Sequence, residues 1–152
     1  MQLAGWFVMS TKDLKAIERR LANEFNKGKA AALAAIEELT PTNSVYHTAT
    51  GMDIRGLKDI KQFFSEMFDA FPDFHMTIDD LVAEGEKVVI RYTMTATHKR
   101  EFMGIPATNK KVTGWVIQID RFAGGKYVEA WERMDTLGFM QQLGVIPTPE
   151  KK

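Results

Sequence analysis

The hydrophobic rhythm of the chain changes from helical to alternating at Pro72, and that change limits the folds open to it. Before Pro72, apolar residues recur at three- and four-residue steps, the period of a helix with one buried face; after it they alternate, the period of a strand. Leu14, Ile17, Leu21 and Phe25 mark the first helix. Ser10 or Thr11 can cap it, with Asp13 in the first turn, where negative charge is favoured. Gly28 breaks the pattern, and a second, alanine-rich helix over Lys29 to Leu39 stops before Pro41. A loop with Asn43, Tyr46, His47 and Gly51 follows. The third helix starts after Gly56 and carries Leu57, Ile60, Phe63, Phe64, Met67, Phe68 and Phe71, an aromatic face that needs a large apolar partner.

The alternating half of the chain supplies that partner. Phe74, Met76 and Ile78 open a strand expected to bulge near Asp79-Asp80, and Glu84-Gly85-Glu86-Lys87 reads as a hairpin turn. A long strand runs from Val88 to about His98, and a loop from Lys99 to Asn109. Lys111 to Phe122 forms the next strand, Gly124-Gly125 turns the chain, and Lys126 to Asp135 forms the last. A short terminal helix with Leu137, Phe139, Met140 and Leu143 closes at Gly144. Helices first, then strands joined by short turns, predict an α+β fold with a curved antiparallel sheet rather than βαβ units. The 152 residues suit one domain, taken as 10–147, with an N-terminal extension over 1–9 and a tail over 148–152.

Several function classes drop out. Cysteine is absent, which removes disulfides, thiolate metal sites and cysteine nucleophiles, and fits a reducing, cytoplasmic location. Lys+Arg and Asp+Glu are equal at 20 each, without the positive excess that phosphate contacts demand, so no nucleic acid partner is expected. The apolar stretch from Leu3 to Met9 lacks a basic flank and is too short to span a bilayer, so neither is a membrane. His47, His75 and His98 are too far apart in sequence to suggest a zinc site, and no glycine-rich phosphate loop or nucleophile elbow occurs. Neither metal nor cofactor is expected.

Three segments carry a resemblance: Phe71-Pro72-Asp73-Phe74-His75; Thr97-His98-Lys99-Arg100-Glu101-Phe102-Met103-Gly104-Ile105-Pro106-Ala107-Thr108; and Gly125-Lys126-Tyr127-Val128-Glu129-Ala130-Trp131-Glu132-Arg133-Met134-Asp135, running on to Gln141-Gln142-Leu143-Gly144. In this order and spacing the chain resembles the SnoaL-like polyketide cyclase and ester cyclase family, within the NTF2-like superfamily, from Thr11 onward. The resemblance implies a cone-shaped α+β barrel around a pocket. It also implies an intramolecular aldol closure of a polyketide ester by a carboxylate acid/base. Carried over from Gly125-Lys126, the family pattern puts that carboxylate at Glu132 and its histidine partner at Gln118.

Residues two apart in a strand share a face. One face of the Val88–His98 strand holds Val88, Ile90, Tyr92, Met94, Ala96 and His98, and suits a pocket lining. For Lys111–Phe122, the face consistent with the family register is Val116, Gln118 and Asp120, leaving Trp115, Ile117, Ile119 and Arg121 outside. The last strand divides into Val128, Ala130, Glu132 and Met134, taken as inward, and Tyr127, Glu129, Trp131, Arg133 and Asp135.

The candidate catalytic residues are therefore Glu132, with His98 as a possible substitute for the missing histidine. Gln118, Tyr92, Met94, His47, Tyr46 and Met134 are the candidate substrate-binding residues. A carboxylate among apolar neighbours is desolvated, which raises its pKa toward the range useful for removing a proton alpha to a carbonyl. Asp135 reads as a helix cap. The expected activity is cyclase-like proton transfer on a hydrophobic carbonyl substrate. Because an amide cannot shuttle a proton, Gln118 keeps open an alternative, a non-catalytic protein holding a small apolar ligand. Hydrolysis of an epoxide or ketosteroid-type isomerisation ranks below both. The apolar outer set, with Trp131, is expected to pair two chains as a homodimer.

Overall fold

The computed structural model describes residues 8–150. Most of the proposed extension (residues 1–7) and the last two residues of the tail lie outside this range. The first helix, α1 (Thr11–Asn26), begins with a capping box in which Ser10 and Asp13 exchange hydrogen bonds. Gly28, at φ 106°, then turns the chain into α2 (Lys29–Leu39). Two short strands, β1 (Val45–His47) and β2 (Asp53–Arg55), come before α3 (Leu57–Ala70). Four longer strands, β3 (His75–Glu84), β4 (Lys87–Thr97), β5 (Lys111–Ala123) and β6 (Lys126–Met134), form the meander, and α4 (Thr136–Leu143) ends it.

The sheet has the order β2-β1-β6-β5-β4-β3 and does not close on itself. It departs from the antiparallel expectation at one place, where β1 pairs with β6 in parallel, Tyr46 opposite Ala130. A three-residue strand carries too little alternation to be read from sequence, so the segment looked like a loop. The expected irregularity in β3 is present as a register shift between Ile78 and Asp80. A second, unexpected shift lies in the β5–β6 hairpin, where Arg121 pairs with Glu129 but Phe122 with Tyr127. The extra residue reverses the parity of β6 beyond it. Tyr127, assigned outward by simple alternation, is buried against Phe122, with ring centroids 4.4 Å apart.

The helices pack on the concave face of the sheet. Phe25, Phe64, Phe68 and Phe74 meet edge-on or tilted, with centroids 5.3–6.3 Å apart, in the offset geometry that aromatic quadrupoles favour. A smaller apolar cluster of Leu14, Leu39, Val88, Phe122 and Tyr127 closes one end. On the convex face Trp115, Ile117 and Ile119 remain exposed, Trp115 by 53%. No helix among the described residues is long and apolar enough to cross a membrane.

A side chain joins the helical layer to the sheet. The Asn26 amide, at the end of α1, donates to the Met76 carbonyl (2.8 Å) and accepts from the Met76 N–H (2.8 Å), satisfying both backbone groups of that strand residue. Removing it orphans both groups, so Asn26→Ala should cost about 1–3 kcal/mol. Urea unfolding at equilibrium measures this. A loss below about 0.5 kcal/mol, the scatter of ordinary surface substitutions, would show that the clasp adds little.

Candidate functional site

Between the helices and the concave face lies a cavity of about 340 Å³, walled chiefly by phenylalanine, methionine and aliphatic side chains. Three cross-strand rows on the inner face of the sheet supply its floor, though Ile54, Val88 and Ile90 at their ends do not line it. Ile54, Tyr46, Ala130, Asp120 and Val88 form the first, reaching from β2 to β4; Glu132, Gln118 and Ile90 the second; Met134, Val116 and Tyr92 the third. Tyr46, Tyr92, Met94, Gln118, Glu132 and Met134, singled out in the sequence, all line the cavity. The bulge lies beyond Glu129, so it leaves Ala130, Glu132 and Met134 on the inner face.

Glu132 is the centre of the polar groups. By surface area it is half-buried, but it lines the cavity, so part of what it exposes faces that enclosed space. Its Oε2 accepts a hydrogen bond from the Tyr46 hydroxyl at 2.5 Å. Tyr46 is itself fixed against Phe63 and Phe64, with centroids 5.9 and 5.4 Å away. Burial pushes the Glu132 carboxyl above its usual range, and three donors, the Tyr46 hydroxyl, the Ala49 N–H and the Tyr92 hydroxyl, pull against that shift. The balance remains upward: the carboxylate is basic, yet has donors to hold it when ionised.

The other candidates fall elsewhere. His47 sits on β1 but on the opposite face from Tyr46, so it does not line the cavity. Its Nδ1 is 2.6 Å from Asp53 and its Nε2 2.9 Å from Glu129, and the ring stacks on Trp131. Adjacent residues of a strand point to opposite sides, and the three residues of β1 were too few to reveal which. His98 does border the cavity, buried, stacked on Phe71 with centroids 5.1 Å apart, and 3.1 Å from the Thr108 hydroxyl through Nδ1. It lies about eight residues along β4 from the Glu132 row, roughly 26 Å of extended strand at ~3.3 Å per residue. Burial lowers its pKa, and no carboxylate acts on the ring. The structure therefore brings Tyr46, Tyr92, Gln118 and Glu132 together and leaves His47 and His98 apart from them. Asp135, the other carboxyl at the end of β6, accepts from the Gly138 N–H at 2.8 Å and caps α4.

One group was missed in the sequence. Glu18, on α1, is 3% exposed and faces Asp120, which is fully buried on β5. Asp120 also accepts from the Gln118 amide at 2.7 Å. Burial, and then the Asp120 charge, push Glu18 well upward; burial pushes Asp120 to about 6. The pair keeps a proton near neutrality because two ionised carboxylates cannot share so dry a place. A signal existed: Glu18 interrupts the apolar spacing at four residues from both Leu14 and Ala22, and all three are buried. Among the described residues no cluster of histidine, aspartate and glutamate is arranged to hold a metal ion.

The carboxyl pair has a cost that depends on pH. With native pKa values above the unfolded ones, the folded state binds more protons once the pH passes about 4, so stability falls as pH rises toward 6 and beyond. Glu18→Gln keeps a donor to Asp120 and removes one of the two titrating carboxyls. It should stabilise the protein by roughly 1–2 kcal/mol at pH 7.5, with the gain fading toward pH 4. Thermal unfolding across that range measures it, and a gain independent of pH would contradict the assignment.

A search of curated proteins found no match. Among solved structures, AclR from Streptomyces galilaeus, a candidate hydroxylase, is similar at 27% identity and TM-score 0.79, covering 91% of this chain and 100% of its own. IdmH from Streptomyces antibioticus, a candidate polyketide cyclase, matches at 27% identity and TM-score 0.71, covering 90% and 99%. A SnoaL-like protein from Jannaschia sp. CCS1 matches at TM-score 0.82 and 18% identity over 97% of this chain and 100% of its own, a likeness of fold. The family model for SnoaL-like polyketide cyclases matches residues 8–143, nearly the whole chain. The curved sheet and packed helices of the chain agree with that match, and the protein belongs to the SnoaL-like polyketide cyclase family.

Proposed function

We propose that the protein catalyses proton transfer at the carbon alpha to a carbonyl of a hydrophobic, polyketide- or ester-like molecule, with Glu132 as the base. The observation that carries this reading is the Glu132 carboxyl on the wall of an apolar cavity, raised in pKa by burial and bonded to the Tyr46 hydroxyl. Ionised Glu132 takes the alpha proton, the C–H pair delocalises into the carbonyl as an enolate, and the carbon end attacks a second carbonyl of the same molecule. The new C–C bond leaves an alkoxide, to which Glu132 returns the proton, so the base is regenerated. General acid/base help of this kind is worth roughly 10²–10⁴-fold. The apolar walls exclude water, which favours attack by carbon over quenching of the enolate by solvent.

The proton-removal half can be tested without the natural substrate. In D₂O the protein should accelerate exchange of the alpha protons of ethyl benzoylacetate, a hydrophobic β-ketoester, as followed by proton NMR. Glu132→Gln should reduce that acceleration about 10²-fold or more; equal exchange by both forms would sink the reading. Tyr46→Phe removes a bond that holds the Glu132 pKa down. The rise of rate with pH should then shift to higher pH, as the base must still be ionised to act.

A second reading rests on Gln118, whose amide bonds Asp120 and does not titrate: the same cavity stores or carries an apolar ligand without changing it. Native mass spectrometry of the purified protein decides between them, because a co-purified ligand recovered intact after incubation with the active protein favours carriage, whereas its conversion favours catalysis.

A further inference from the structure

Gln118 stands where the family resemblance places a histidine, and the structure gives that amide unusual support. Its Nε2 donates to Asp120 Oδ1 at 2.7 Å, short for an amide donor and in the range of a bond to an ionised acceptor. Behind Asp120 stands Glu18, brought in from α1, with no lysine or arginine lining the cavity. Asp120 Oδ2, Glu18 Oε1 and the Tyr127 hydroxyl are all buried and make no conventional hydrogen bond among the described residues. They lie close enough to act on one another: the Asp120 charge adds to burial in raising Glu18, and both carboxyls add to burial in raising Tyr127.

The orientation of Gln118 follows from this arrangement. An amide offers two N–H donors and one carbonyl acceptor, and only a donor can face a carboxylate. One N–H is committed to Asp120. Gln118 itself is half-buried, lines the cavity, and pairs across the strands with Glu132. Cross-strand partners on one face lie about 5 Å apart at Cβ. A carbonyl whose alpha carbon meets Glu132 can therefore bring its oxygen within reach of Gln118.

We propose that Asp120, clasped by Glu18, is a positioning residue that fixes the Gln118 amide so that its second N–H receives the carbonyl oxygen of the ligand beside Glu132. The inference rests on the reading of Glu132 as the base that works on the same carbonyl. It makes Gln118 the hydrogen-bond donor to the oxygen on which enolate charge collects, a role that needs no titration. The geometry is set before the ligand arrives, which is the condition for such a donor to help more in the transition state than in the ground state. It also limits the ligand. The group beside Glu132 must be an acceptor, because the amide is turned to offer a donor.

Paired probes test this. The ketone 2-acetylnaphthalene accepts a hydrogen bond, and 2-isopropenylnaphthalene has nearly the same shape without the acceptor. Their relative affinity, measured by fluorescence titration, isolates the contact to oxygen, while the alkene alone reports whether the cavity is intact. Gln118→Leu should lower the ketone-to-alkene preference by roughly three- to tenfold, the worth of one hydrogen bond. Asp120→Ala should lower it nearly as much by freeing the amide to turn, and Asp120→Asn, which keeps an acceptor for Gln118, should restore it. Alkene affinity should hold throughout. A preference unchanged in Asp120→Ala, or lost equally in Asp120→Asn, would overturn the positioning role. If Asp120→Ala does not fold, the side-chain amide protons of Gln118 in the wild-type protein supply the measurement. One proton should appear downfield in the ¹H–¹⁵N spectrum and the other should shift on adding ketone but not alkene; two equivalent, unresponsive protons would overturn the proposal. Loss of α-proton exchange in Glu132→Gln is a separate outcome, so either inference can fail while the other stands.

Discussion

Desolvation of carboxyl groups is the constraint on which the interior of this protein depends. Glu18, Asp120 and Glu132 all lie within the shell between helices and sheet, and among the described residues no lysine or arginine lines the cavity that Asp120 and Glu132 border. Each must be held by hydrogen-bond donors or keep a proton. Glu132 takes the first course, with Tyr46, Tyr92 and Ala49 around it. Glu18 and Asp120 take the second, sharing a proton. The same apolar walls therefore produce one carboxyl ready to ionise and one pair held near neutrality, which keeps two different electrical roles within one small space.

The surrounding architecture serves that arrangement. β1 is only three residues long, yet its parallel pairing with β6 brings the Tyr46 hydroxyl to Glu132. The bulge opposite Phe122 turns Tyr127 inward without disturbing Ala130, Glu132 and Met134. Without that extra residue Glu132 would pair with Ile117 and face solvent, since a one-residue slip moves a side chain to the other face.

Much of this was legible in the sequence because strand parity is a strict rule. Alternation put Tyr92 on the pocket face, the register implied by the family resemblance put Gln118 and Glu132 there, and all three line the cavity. The change of period at Pro72 divided helices from meander. What escaped had definite causes. The strands holding Tyr46 and His47 are too short to show a period, so their opposite facings could not be read. Tyr127 followed a bulge, and bulges are set by pairing, which a single strand does not display. Glu18 looked like an ordinary charged helical residue because the stripe beside it was already complete with Ile17 and Leu21. Its spacing of four residues from both Leu14 and Ala22 was the one sign of its depth, and the facing Asp120 on β5 supplies the reason.

The Tyr46–Glu132 bond joins residues separated by 86 positions, and Glu18 reaches Asp120 across the whole length of the three-helix segment and most of the meander. Contacts so distant along the chain carry a large closure entropy and form late. During synthesis α1, α2 and α3 leave the ribosome before β5 and β6, so Glu18 and Tyr46 emerge ahead of the carboxyls they meet. The Glu18–Asp120 pair thus needs β5 in place, and the Tyr46–Glu132 bond needs β6. A nascent or truncated chain lacking β6 would carry the hydrophobic helical faces without the base they are arranged around.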